Sequence, residues 1–91
     1  MPKIDPARIE AALSDTDKAT VVRWRRSGID PWFVRGLAAF LLHLAVDNLT
    51  EQYLEQHHDA TAASALLAAC RHLGTTPKAV KRMRNRWGWV V

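Results

Sequence analysis

A chain of 91 residues that is 48% hydrophobic and 24% charged has the balance of one small folded domain, residues 1–91, and not of a disordered polymer. Its lone cysteine, Cys70, excludes an internal disulfide, leaves stability to packing and suits a reducing compartment. The net charge of +4 points toward anionic partners rather than cationic ones.

Punctuation by proline and glycine divides the chain into helices. Asp5-Pro6 reads as an N-cap followed by proline at the first helical position. A short helix to about Leu13 follows, with Ile9 and Leu13 one turn apart. Ser14, Asp15 and Asp17 are candidate caps for a second helix to about Arg26. Ser27-Gly28 ends it, because glycine takes the left-handed conformation of a helix terminus at little cost.

Asp30-Pro31 repeats the cap-and-proline start and opens a third, long helix to about His57. Its first half is apolar almost all round, from Trp32 and Phe33 through Leu37, Phe40, Leu41, Leu42, Leu44 and Val46. A helix without a polar face is normally buried. Asp47, Glu51 and Glu55 form an acidic ridge on its second half. Asp59 or Thr61 caps a fourth helix that runs to Leu73 and closes at Gly74. Thr76-Pro77 opens a fifth, which Gly88 ends. Ala, Leu and Arg dominate and β-branched runs are absent, so no sheet is expected. The expected fold is all-α, a compact bundle of about five helices around one long central helix.

The opening MPKIDPARIEAALS carries no apolar segment of the secretory kind. The longest apolar run, Leu37 to Val46, is too short to cross a bilayer. A cytoplasmic protein with no membrane partner is the expectation.

Charge is unevenly placed. From Arg71 onward there are six basic residues and no acidic one, whereas residues 1–70 carry seven basic and nine acidic groups. One end is a cation and the rest is slightly acidic, a pattern that favours nucleic acid as partner. Arg23-Trp24-Arg25-Arg26 is a second basic knot that offers phosphate contacts, since the guanidinium fork donates two parallel hydrogen bonds.

Residues 66–85 read LLAACRHLGTTPKAVKRMRN. Cys70 is small enough to sit against a second helix. Gly74 tolerates a turn with positive φ. Val80 and Met83 supply inward anchors, and Trp87 and Val90 continue their stripe. This stretch resembles the helix-turn-helix of DNA-binding regulators. Thr75 departs from that pattern, which usually has an apolar residue after the glycine. A second hairpin centred on Gly28 is excluded, because Trp24 stands where the small residue must be.

Lys78, Lys81, Arg82 and Asn85 recur at i, i+3, i+4 and i+7 and share one side of the fifth helix. The resemblance implies that this helix enters the major groove. Thr76, Lys78, Lys81, Arg82 and Asn85 then face bases: arginine and lysine match guanine, and asparagine matches adenine. Arg71, Arg84 and Arg86 are assigned to phosphates, which give affinity without sequence choice. The N-terminus of that helix, capped by Thr76, also suits a phosphate.

His57, His58, Cys70 and His72 fit no standard zinc spacing, so no metal or other cofactor is expected. His43, inside the apolar stretch, reads as a core or interface residue with one hydrogen bond. Trp24 and Trp89 are the candidates for contact with a partner, tryptophan being common at interface hot spots, and Trp89 is expected to dock on another helix or on that partner. No acid, base and nucleophile set converges, Ser14, Ser27 and Ser64 lack a nucleophile-elbow context, and no enzyme is read. The expected function is a small DNA-binding regulator that acts on double-stranded DNA, homodimeric through the long helix 31–57. The rival is a protein-binding adaptor or inhibitor acting through tryptophans and the acidic ridge.

Overall fold

Four of the five α-helices among the described residues start on a short polar side chain. In a computed structural model, which describes residues 4–89, the Asp5 carboxylate accepts from the Ala7 N–H at 3.0 Å and begins α1, Pro6–Ala11. The Ser14 hydroxyl accepts from the Asp17 N–H and begins α2, Asp15–Arg26. Asp15 and Asp17 lie in the first turn of α2 and Arg23, Arg25 and Arg26 in its last, which suits the helix dipole at both ends. α1 is two residues shorter than expected, yet Ile9 and Leu13 are both buried.

The expected helix from Pro31 to about His57 is corrected at its start. Asp30 and Pro31 begin only one 3-10 turn, Pro31–Phe33. Val34 is then extended, Gly36 takes φ +93°, and α3 runs Leu37–Gln56. The reason is tertiary. A Cβ on Gly36 would lie 3.4 Å from the Trp87 ring, so backbone and indole pack directly on each other. The break also turns the Trp32 indole N–H back to donate to Glu10 Oε2 at 3.0 Å. Phe33, expected to be buried, is instead 89% exposed.

α4, Ala62–Leu73, starts at Thr61 rather than Asp59, in a reciprocal capping box with Ser64. α5, Pro77–Trp87, starts at Thr76, whose hydroxyl accepts from the Ala79 N–H at 3.1 Å. α2, α4 and α5 end in the same way. Gly28, Gly74 and Gly88 have positive φ, and the next residue's N–H closes on a carbonyl one turn back: Ile29 on Trp24, Thr75 on Cys70, Trp89 on Arg84. These bonds satisfy carbonyls that a helix end otherwise leaves open.

α3 is the axis of an all-α bundle, with α4 packed along it and α1, α5 and the 3-10 turn against its sides. Ala45, Ala65 and Ala69 are buried, and their small side chains let the α3 and α4 backbones approach closely. Ile9, Leu13, Val21, Leu41, Val46, Leu73 and Val80 complete the core. The Asn48 amide donates to the Ala12 carbonyl at 2.8 Å, and Arg8 donates to the His72 carbonyl, tying α1 to α3 and α4. Among the described residues there is no strand, and no helix is long and apolar enough to cross a membrane. Val90, expected to extend the apolar stripe of α5, lies outside the described residues.

Candidate nucleic-acid interface

The hairpin α4–α5 is anchored in the common core of the bundle. Cys70, Leu73 and Val80 are buried, and Leu66 and Met83 pack against them. The left-handed Gly74 and the Thr75-to-Cys70 bond set the turn between the helices. With Val80, Met83 and Arg84 drawn toward the bundle, the opposite side of α5 faces solvent. Lys78, Lys81, Arg82 and Asn85 are all exposed there. Thr76 is exposed at the start of α5, Arg86 near its end, and Arg71 on α4. Among the described residues, none of Arg71, Lys78, Lys81, Arg82 and Arg86 makes an ion pair.

Arg84 is turned the other way. Its Nη2 donates to Asp47 Oδ1 at 2.6 Å and its Nε to His43 Nδ1 at 3.0 Å. It is half-buried and clasps α5 to α3, so the residue grouped with the phosphate contacts is separated from the other cations. Asp47, though exposed, is engaged by Arg84, whereas Glu51 and Glu55 of the same ridge are exposed and in no ion pair among the described residues.

Trp24 is half-buried against the core. Trp89 docks on α3, its ring 5.4 Å from Phe40 and 5.2 Å from His43, with Trp87 stacked beside it at 6.0 Å. Both tryptophans singled out for a partner thus have neighbours within the chain. In the basic knot, Arg25 grips Glu10 through both Nη atoms, the longer bond at 2.9 Å, while Arg26 is exposed. That Arg25 bond, with the Trp32 indole behind it and against some desolvation, holds the Glu10 carboxyl below its usual range.

The clasp around His43 predicts a dependence of stability on pH. Burial lowers its pKa, Asp47 opposes this, and the Arg84 charge adds to the lowering. The neutral ring is the one that accepts from Arg84, and a proton on Nδ1 would remove that acceptor. A folded-state pKa below the ordinary value of 6.5 means the contribution is full above that value and is lost as pH falls toward the folded pKa. The expected result is that native protein loses melting temperature relative to His43→Phe between pH 7.5 and 5. A difference that stays constant with pH would exclude the linkage.

Cys70 is fully buried, and burial pushes its thiol pKa up, partly offset by Arg84; a protonated thiol is a poor nucleophile. Among the described residues no three His, Cys, Asp or Glu side chains converge as a metal set would require. Sequence reasoning missed two features, the Arg84 clasp and the exposed Phe33. Thirty-seven residues separate Arg84 from Asp47, and no local pattern announces such a pair. For Phe33 the signal was Gly36, a helix breaker five residues after the expected start.

The chain is thus an all-α five-helix protein with a cationic hairpin at its C-terminal end. Protein-family models, curated proteins and solved structures give no match to it.

Proposed function

We propose that this chain is a small DNA-binding protein, a cytoplasmic transcriptional regulator that uses α4 and α5 as a helix-turn-helix. One observation carries the reading. The outer face of α5 presents Lys78, Lys81, Arg82 and Asn85 to solvent, its cations in no ion pair among the described residues. Arg25 on α2 and Arg84 on the inner side of α5 are engaged by carboxylates, while Lys18, Arg23 and Arg26 on α2 are also in no ion pair among the described residues.

On this reading Lys81, Arg82 and Asn85 reach base edges, with Lys78 and Thr76 at the entering end of the helix. Arg71 and Arg86 flank them and meet phosphates. Arg84 serves differently from its sequence assignment: it sets the position of α5 on α3. Two copies joined through α3 would double the phosphate contacts and suit a palindromic site. The first half of α3 is more buried by its own chain than the second, so that pairing would use the second half, where Glu51 and Glu55 are exposed.

The test is a salt-titrated fluorescence-anisotropy measurement with mixed-sequence duplex DNA. Contact with six or so phosphates predicts roughly a 10³-fold loss of affinity between 50 and 200 mM salt. No binding at low salt by protein shown to be folded would overturn the proposal. Duplex RNA and single strands of equal length separate DNA from RNA binding. The second reading, a protein-binding adaptor, is favoured by the exposure of Phe33 beside the exposed Ile29 and Val34. An apolar interface of that kind would respond little to salt.

A further inference from the structure

A cleft of about 400 Å³ opens among α3, α4 and one edge of α5, where the exposed Lys81 and Asn85 border the buried Val80. Leu66, Val80 and Trp89 give it apolar walls, Lys81 and Asn85 stand along α5, and the Arg84–Asp47 clasp lies beside them. Its size is that of a small-ligand site, and an apolar lining with a few convergent polar groups is the usual character of one.

The charge is one-sided. Asp47 and Arg84 offset each other at 2.6 Å. That leaves the Lys81 ammonium without an ion pair among the described residues and the Asn85 amide as a further donor. A second groove of about 350 Å³, walled by Ile4, Trp32 and Met83 among others, has no charged side chain in its lining. It offers nothing to an anion.

We propose that the α3–α5 cleft binds a small aryl carboxylate, its ring against Leu66, Val80 and Trp89 and its carboxylate on Lys81 and Asn85. The binding itself stands apart from any nucleic acid. Its consequence rests on the DNA reading above: Lys81 and Asn85 are two of the side chains assigned to bases. A carboxylate that engages them competes with DNA, and the compound acts as an effector that releases the protein from its site.

The test is an amide-resolved NMR titration of the full chain with naphthoate and with its uncharged counterpart, naphthalenemethanol. Saturable shifts are expected at Leu66, Val80, Lys81 and the Trp89 indole. Lys81→Met, whose fold is checked by circular dichroism, should weaken naphthoate about tenfold, as loss of a charge-assisted hydrogen bond does. Its affinity for naphthalenemethanol should change less than about twofold, because that probe has no charge to lose. Absent shifts, shifts centred on Ile4 and Trp32, or equal weakening of both probes would overturn the site.

Anisotropy with duplex DNA at saturating naphthoate then reads the coupling. Weakened DNA binding supports competition, and unchanged binding overturns it. The two proposals fail separately. Naphthoate shifts without any DNA binding remove the regulator and its effector role but leave the site. DNA binding without naphthoate shifts removes the site and leaves the regulator.

Discussion

Replacing Lys81 and Arg82 together with alanine is expected to lower affinity for duplex DNA by about a hundredfold and to leave helicity intact. A lost arginine–base contact costs roughly 1–3 kcal/mol, and a lost phosphate contact reduces the salt slope by about one. With Lys81 and Arg82 both at base edges, the variant loses two base contacts, and the loss of two cations from the interface also lowers the salt dependence. Both side chains are exposed on α5, so their removal opens no cavity, and alanine is the stronger helix former. Lys18→Ala, an exposed change on α2, is the control and should alter binding little. Anisotropy at two salt concentrations measures the outcome. Unchanged affinity in the double variant would remove α5 from the mechanism.

The largest expected effect on stability is at Leu73. It is 1% exposed, at the end of α4, and belongs to the same core cluster as Cys70 and Val80. Leu73→Ala removes buried methyl groups and leaves a cavity, at a cost of about 3 kcal/mol. For a domain of this size that is a fall in melting temperature of roughly 10–25 °C. Leu67, six residues earlier on α4, is 39% exposed. Leu67→Ala should therefore cost no more than about 0.5 kcal/mol. Thermal melts of the two variants check the pair. Equal losses would contradict the orientation of α4 on the bundle.

The contrast between these two leucines bears on how much was legible beforehand. The stripe Leu66, Cys70, Leu73 marks the buried side of α4 by periodicity alone, and Leu67 falls off it. The caps were equally legible. Asp5, Ser14 and Thr76 each accept an N–H at the start of a helix, and Gly28, Gly74 and Gly88 each turn left-handed at the end of one. Asp30-Pro31 carried the same signal as Asp5-Pro6 and produced only a 3-10 turn. The difference lies with Gly36 and Trp87, whose packing depends on how α5 sits on α3.

The candidate interface divides along the same line. Exposure of Lys78, Lys81, Arg82 and Asn85 follows from helical spacing once Val80 is buried. The inward turn of Arg84 does not follow from spacing, because the basic run around it reads as one outward group. Only the approach of His43 and Asp47 from another helix separates it. Trp89 is similar: its sequence marks an aromatic tail, and α3 gives it Phe40 and His43 to lie on.

By itself the sequence determined the helical class, the order of five helices, the caps of α1 and α5 and the concentration of positive charge in the last third. These depend on interactions within one or two turns, where side-chain type and spacing suffice. Tertiary structure decided where α3 begins, that Phe33 is exposed, which arginines are engaged by carboxylates, and that a cleft opens between α3 and α5. Each of these depends on residues far apart in the chain meeting at a helix interface, and local periodicity holds no record of such a meeting.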